Sequence, residues 1–231
     1  MKEQLLAKKI LKWYDFNKRA LPWRKNVSSQ KKQYYTLVSE FMLQQTQVVT
    51  VIPYFNRFIK AVPHLKILAK LQNKKLIKLW EGLGYYSRAR NLKKSAQIII
   101  KNFKGRLPSN FEELISLPGV GSYTANAILA IVYNKPYIPL DGNIKRVLKR
   151  YLYLKKDKDI QKDSLTEKKL IFGKSSRSSD YAQALMELGA LICKPKKPLC
   201  NKCPILRNCK SFKKKDFDLS INIKKIKKNI F

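Results

Sequence analysis

Apolar residues recur along this chain at intervals of three and four, the spacing of helices that bury one face. Leu6, Ile10, Trp13 and Tyr14 share a face of a first helix. It is expected to end before Leu21-Pro22-Trp23, because a residue preceding proline is biased away from the helical region. Arg24 to Gln33 is polar and reads as a loop. The pattern predicts a second helix from Tyr34 to about Val51, stopped near Pro53, and a short one over Tyr54 to Ile59 before Pro63. Leu65 to Ala69, Lys74 to Trp80 and Arg90 to Asn102 predict three more, the last two separated by Gly82, Gly84, Tyr85 and Tyr86. Ser109 and Glu112 form a capping-box pattern ahead of Phe111, Leu114 and Ile115. Pro118, Gly119 and Gly121 interrupt the spacing, and Thr124 to Tyr133 resumes it. Asp141-Gly142-Asn143 opens a helix with Val147, Leu148 and Tyr151 spaced for burial, and Tyr181 to Cys193 is the last clear helix. Lys155 to Lys169 is charged and weakly patterned. No period-two alternation is sustained and no fixed-length repeat is evident, so the expected fold class is all-α.

At 231 residues and 45% hydrophobic, the chain is long and apolar enough to bury a core as one large domain or two small ones. Its apolar runs, of which Ile128 to Val132 is typical, fall far short of the ~18–20 residues a membrane span needs. The N-terminus intersperses Lys and Glu among its apolar residues and lacks a signal-peptide core, so an intracellular, soluble protein is expected. Fifty Lys and Arg against 15 Asp and Glu give a formal charge of +35, which attracts polyanions, nucleic acid being the commonest. The joint richness in Lys, Asn, Ile, Tyr and Phe is also the bias of an AT-rich coding sequence. Charge alone therefore names no substrate. The single histidine, His64, excludes multi-histidine metal sites and argues against His-dependent nucleophilic triads.

Two motifs carry more chemistry than the charge. The four cysteines, Cys193, Cys200, Cys203 and Cys209, form a C-x6-C-x2-C-x5-C pattern. Thiolates this close suggest one metal centre, with an iron–sulfur cluster, a structural zinc or disulfides as the alternatives. Zinc sites more often show two C-x2-C pairs, and nothing here points to an oxidising compartment. Lys194, Lys196, Lys197, Lys202 and Arg207 lie within the cysteine stretch without an acidic residue, a plausible phosphate contact. The second motif, Leu117-Pro118-Gly119-Val120-Gly121, sits between two helices. Glycines there allow a tight turn and a close amide approach to an anion, and the following helix adds its positive end. Helix, glycine hairpin and helix describe an element that grips a DNA phosphate, although a lone Gly-x-Gly also occurs in ordinary turns.

Taken together, the motifs resemble the adenine DNA glycosylases of the MutY type, within the helix–hairpin–helix superfamily that also contains endonuclease III. The resemblance runs from about Trp13 to Cys209 through Leu21-Pro22-Trp23-Arg24, Ser39-Glu40-Phe41-Met42-Leu43-Gln44-Gln45-Thr46-Gln47 and Gly82-Leu83-Gly84-Tyr85-Tyr86-Ser87-Arg88-Ala89-Arg90. It continues through Leu117 to Thr124 and Leu140-Asp141-Gly142-Asn143, and ends on the cysteine pattern. It implies a two-subdomain helical fold. Residues 1–28 would form an N-terminal helix packing with the C-terminal part, and 29–135 a six-helix barrel with the hairpin element at about 111–133. Residues 136–212 would form the cluster subdomain, and 213–231 a lysine-rich tail. The implied activity is monofunctional hydrolysis of the N-glycosidic bond of adenine mispaired with guanine or 8-oxoguanine in double-stranded DNA. The implied cofactor is a [4Fe-4S] cluster on the four cysteines. A monomer with no membrane partner is expected, in the bacterial cytoplasm and at the nucleoid when bound to DNA.

The chemistry needs a protonated acid for the leaving base and a carboxylate for the cationic sugar, two carboxyls in opposite states. Glu40, between Leu37 and Leu43, borders an apolar helix face where burial would keep it protonated, although such a glutamate is ordinarily a flank residue. The resemblance makes it the proton donor. Asp141 is by default a helix N-cap. The resemblance makes it the transition-state stabiliser, with Asn143 assisting. Tyr123 stands where endonuclease III-like relatives carry the lysine that attacks the sugar, and a phenol cannot form that Schiff base. Gln44, Gln45 and Tyr85 resemble the residues that fill the gap left by the extruded base, and Leu117, Gly119, Val120 and Gly121 those of the DNA-gripping hairpin. The family typically continues into a Nudix-like domain that recognises 8-oxoguanine; here the chain runs from Cys209 to Phe231 through Lys213-Lys214-Lys215 and Lys224-Lys225-Ile226-Lys227-Lys228. Adenine excision is the expectation, with discrimination of 8-oxoguanine from guanine left open. Thymine release at T·G mismatches and non-catalytic lesion sensing are the alternatives. Gln44-Gln45 argues against the first, and the joint presence of Glu40, Asp141 and Asn143 against the second.

Overall fold

The computed structural model describes residues 2–155 and 176–217. Most of the Lys155 to Lys169 stretch and the lysine pairs beyond Phe217 lie outside the described residues. All regular structure among them is helical: α1 (Lys2–Asn17), α2 (Ser29–Leu43), α3 (Val48–Ala61), α4 (Leu65–Lys70), α5 (Asn73–Trp80), α6 (Ser87–Asn102), α7 (Phe111–Ile115), α8 (Ser122–Ile131), α9 (Gly142–Leu152), α10 (Ser178–Glu187) and α11 (Lys210–Lys213), with short 3-10 and π turns between. None of these helices is long and apolar enough to cross a membrane.

The chain divides into two units. The larger comprises Asn17–Pro139 and Ser176–Gln183, and the other Met1–Phe16, Leu140–Ser175 and Ala184–Phe231. In the larger unit α2 is the central helix. Thr36 through Met42 are buried without interruption, and α2 packs on α3, α6 and α8. Leu37, Val38, Phe41 and Met42 are fully enclosed, in a core shared with Phe55, Phe58, Trp80, Leu92, Ile99 and Ile128. Phe58 meets Trp80 edge-on at 6.1 Å, and Trp23 meets Phe55 at 5.3 Å, favourable geometries for ring quadrupoles. In the other unit, α1 buries Ala7, Ile10, Leu11 and Tyr14 at helical spacing, with Leu6 and Trp13 only half-buried. There α9 packs against α11 and the π turn Leu188–Ile192.

Several expected boundaries shift, each for a local reason. Helix α2 begins at Ser29 inside the expected loop, and it ends at Leu43 rather than near Val51. The break falls at Gln45, whose φ of 56° is left-handed and cannot continue a right-handed helix. Pro53 does not stop a helix; it sits within α3. The carbonyl deprived of a helical donor there is that of Val49, and Val49 is exposed at the start of the helix, where water serves. Asn110 rather than Ser109 caps α7, its side chain accepting from the Glu113 amide at 2.8 Å. Helix α10 starts earlier than Tyr181 and passes into the π turn, whose wider winding lets the Cys193 amide reach the Leu188 carbonyl at 2.7 Å.

Candidate active site

Glu40 lies on the central helix with 5% of its surface exposed. Two turns meet beside the end of α2. Gln44 to Thr46 leads into α3, and Gly82 to Tyr86 leads into α6; the first carries Gln45 at φ 56° and the second Tyr85 at φ 49°, both exposed. Arg88 joins these turns from beneath. Its Nη1 faces the carbonyls of Phe41 (3.2 Å), Met42 (2.8 Å) and Gln44 and the Thr46 hydroxyl (3.2 Å). Nη2 donates to Leu83 and Gly84, both at 3.1 Å. The carbonyls at the end of α2 have no helical donors of their own and carry the negative end of the helix dipole, so a guanidinium is a fitting cap. Burial pushes the Arg88 pKa down, and the Tyr85 phenol opposes that shift.

The hairpin is braced by the same helices. Gln44 Nε2 donates to the Gly119 carbonyl at 3.1 Å, and Ser95 Oγ to the Pro118 carbonyl at 2.8 Å. Gly119 has φ +80°, and a Cβ there would stand 2.8 Å from the Phe41 ring and 2.9 Å from Asn91 Cβ. Gly121 differs. Its φ is −92°, it caps α8, and nothing lies within 4 Å of where a Cβ would be. Leu117 and Val120 bury their side chains, and their amides donate within the turn to Leu114 and Leu117. Tyr123 sits half-buried in the first turn of α8.

In the other unit Asp141 caps α9, its Oδ1 accepting from the Ile144 amide at 2.6 Å and its Oδ2 from Asn143 Nδ2 at 3.1 Å. Burial raises the Asp141 pKa, while these hydrogen bonds and Arg146 pull it back. Arg146 Nη2 donates to Asn143 Oδ1 and to the Gly189 carbonyl, both at 2.7 Å, and its Nε to the Cys193 carbonyl at 2.7 Å. Gly189 is required by proximity, since a Cβ would lie 2.6 Å from Asn143 Cβ. One helical turn on, Arg150 donates to the carbonyls of Lys194 (2.6 Å) and Pro195 (2.8 Å), with Nη1 3.6 Å from Cys193 Sγ.

The four cysteine side chains are each half-buried and unbridged. Burial pushes the Cys203 thiol up to about 12 and raises Cys200 and Cys209, and the neighbouring thiols add to each shift. Among the described residues no three His, Cys, Asp or Glu side chains are gathered tightly enough to grip a single metal ion.

The model of the HhH-GPD superfamily of base excision DNA repair proteins matches residues 38–171. The chain belongs to this superfamily. The matched segment of the HhH-GPD chain takes in Glu40, the Arg88 turn, the hairpin and Asp141, and stops short of the cysteines. The chain is 43% identical over 229 residues to the adenine DNA glycosylase of Buchnera aphidicola subsp. Baizongia pistaciae, covering 96% of this chain and 62% of that protein. It is 39% identical over 213 residues to the human adenine DNA glycosylase, covering 87% of this chain and 38% of that one. It spans about 60% of the length of its Buchnera relatives. Its fold is similar to a thermostable thymine-DNA glycosylase, with a TM-score of 0.79 at 27% identity over 92% of this chain and 97% of that one. An endonuclease III from a non-covalent DNA complex shares the fold with a TM-score of 0.74 at 24% identity, over 93% of this chain and 98% of that one.

Of the expected site residues, Gln44 and the hairpin come together, as do Asp141 and Asn143, whereas the four cysteines lie in one loop region without forming a metal-holding group. Glu40 belongs to the larger unit and Asp141 to the other. Sequence reasoning missed Arg88, Arg146, Arg150 and Thr46. Arg88 is the second residue of α6, where the helix dipole disfavours a cation, but the expected helix began only at Arg90, so the sequence did not reveal this.

Proposed function

We propose that the chain is a monofunctional adenine DNA glycosylase, acting as a monomer on double-stranded DNA in which adenine opposes guanine or 8-oxoguanine. The burial of Glu40 on the central helix carries this reading. Burying a carboxyl penalises its charged form and so favours the protonated form that a proton donor needs. In the proposed reaction the target adenine leaves the stack, Gln45 and Tyr85 occupy the space it vacates, and Glu40 protonates the base as the C1′–N bond breaks. Asp141 acts as the anion, which the Ile144 amide and Asn143 favour against the burial that raises its pKa, and stabilises the positive charge that develops on the sugar. Asn143 assists in placing the water that completes hydrolysis. Tyr123 in place of an amine leaves no route to a Schiff base, so the strand is not cut. The hairpin phosphate contact falls on the backbone of Gly119, Gly121 and the first turn of α8, whose amides no helical carbonyl serves. Leu117 and Val120 support it from the core.

Cys193, Cys200, Cys203 and Cys209 would hold a [4Fe-4S] cluster. The C-x6-C-x2-C-x5-C spacing, with one C-x2-C pair rather than two, and the half-burial of all four side chains support this cluster over zinc. When bound, the group supplies a rigid knot for the Cys193–Cys209 loop, and the hydrolysis involves no electron transfer. The protein would act in the bacterial cytoplasm, at the nucleoid when bound.

Single-turnover base release from A·8-oxoguanine, A·G, A·C and T·G duplexes tests the reading. Adenine release is expected, with Glu40→Gln slower by ~10²–10⁴. A wild type and variant equally inert on every duplex that both still bind would overturn it. The likeness to a thymine-DNA glycosylase favours thymine release as the second reading, and the T·G arm decides between them.

A further inference from the structure

We infer that Arg88 is a positioning residue: its single guanidinium locks the Gln44–Thr46 and Gly82–Tyr86 turns into one frame and so sets discrimination of the base opposite the adenine. This rests on the proposed function for its substrate.

The two residues offered to the gap in DNA, Gln45 and Tyr85, both hold left-handed backbone conformations that side-chain-bearing residues rarely adopt. Neither turn holds its shape through regular helix hydrogen bonding. What they share is Arg88, which is 7% exposed beneath them while Tyr85 above is 63% exposed. Nη1 reaches the first turn through Gln44 and Thr46, and Nη2 the second through Leu83 and Gly84. The guanidinium carbon also stands 5.5 Å from the Tyr85 ring centroid and 5.7 Å from that of Trp80. The Trp80 indole N–H donates to the same Gly84 carbonyl at 3.3 Å, fixing the second turn to the core. A planar fork with donors on two separate nitrogens can serve both turns at once. A lysine ammonium is one point on a flexible stem and can serve one of them. Arg88 touches no substrate in this account; it fixes the spacing between Gln45 and Tyr85, and that spacing decides which opposite base fits.

The test uses the full chain and its Arg88→Lys variant, with Thr46→Val as a milder variant that removes one acceptor from Nη1. Binding is measured to duplexes in which a non-hydrolysable abasic-site analogue faces guanine, 8-oxoguanine or cytosine, beside an undamaged duplex. We expect Arg88→Lys to lose roughly tenfold or more of the wild-type preference between opposite bases. Affinity for undamaged DNA, which the hairpin governs, should stay within about twofold. Thr46→Val should show a smaller loss in the same direction, and it carries the test if Arg88→Lys does not fold. A purely structural role would weaken all duplexes equally and leave the preference intact, and that result overturns the inference. A wild type with no preference in binding overturns it as well. A wild type that prefers particular opposite bases but releases no adenine defeats the proposed function alone.

Discussion

The two glycines of the hairpin look equivalent in sequence, and the structure separates them into one that serves the fold and one that serves the ligand. Gly119→Ala places a methyl 2.8 Å from the Phe41 ring and 2.9 Å from Asn91 Cβ, at φ +80°. The left-handed conformation costs an L-residue about 1–2 kcal/mol. Forcing a methyl against a fully enclosed ring adds about 1–3 kcal/mol, because close-packed interiors yield only by moving side chains off their rotamers. The expected loss is about 2–5 kcal/mol, a large share of the ~5–15 kcal/mol that holds a typical domain. Gly121→Ala meets nothing within 4 Å and has φ −92°. Alanine restricts the unfolded chain, worth about 0.4–1 kcal/mol. It is a poorer N-cap than glycine by a comparable amount. These cancel, so its stability should match the wild type, whereas its methyl occupies the space through which a phosphate would approach the α8 amides. Urea denaturation followed by circular dichroism reads the first effect as a shifted midpoint at unchanged m-value. DNA titration over a range of salt reads the second as weaker binding, with the slope of log K against log salt reduced by about 0.9 for one lost contact. The reasoning fails if Gly121→Ala destabilises the fold as much as Gly119→Ala. It also fails if Gly121→Ala binds DNA with wild-type affinity and slope.

Asp141→Asn keeps the N-cap oxygen for Ile144 and removes the buried charge, so the fold should persist while base release falls on the order of 10²-fold or more. Because burial raises the Asp141 pKa, the folded chain holds this proton to higher pH than the unfolded chain does, and the anion forms at some cost in stability. The stability this contributes is complete below the unfolded value and is lost as pH rises through the folded one. The wild type should therefore gain on Asp141→Asn as pH is lowered from 7 towards 4 in paired denaturation curves, and a pH-independent difference would contradict this. Arg150→Met removes the donors to Lys194 and Pro195 and should loosen the cysteine loop. Limited proteolysis between Lys194 and Lys202 should quicken, and less iron should be retained per chain after reconstitution or mild chelation, while an unchanged cleavage pattern and iron content would refute it.

What could be read from the sequence was what rests on neighbouring residues. An aspartate before Gly142 announces an N-cap, and Asp141 is one. Pro118 and Gly119 announce a turn, and the chain turns there. Helical spacing announces one apolar face of α2, but not the uninterrupted burial of Thr36 to Met42, which comes from packing on α3, α6 and α8. The misplaced boundaries have longer-range causes. The run from Tyr34 to Val51 has helical periodicity throughout, and nothing within it marks Gln45 as left-handed. The break is held by Arg88, whose acceptors at Phe41 and Met42 lie 47 and 46 residues away. The same holds in the other unit, where Arg146 and Arg150 look like two more cations in a chain of charge +35. Only the fold shows them spending their donors on the carbonyls of Gly189, Cys193, Lys194 and Pro195. In so basic a protein the informative arginines are those withdrawn from the surface. Arg88, Arg146 and Arg150 are each 7% exposed or less, so their guanidiniums are withdrawn from direct phosphate contact and instead brace the backbone of their own units.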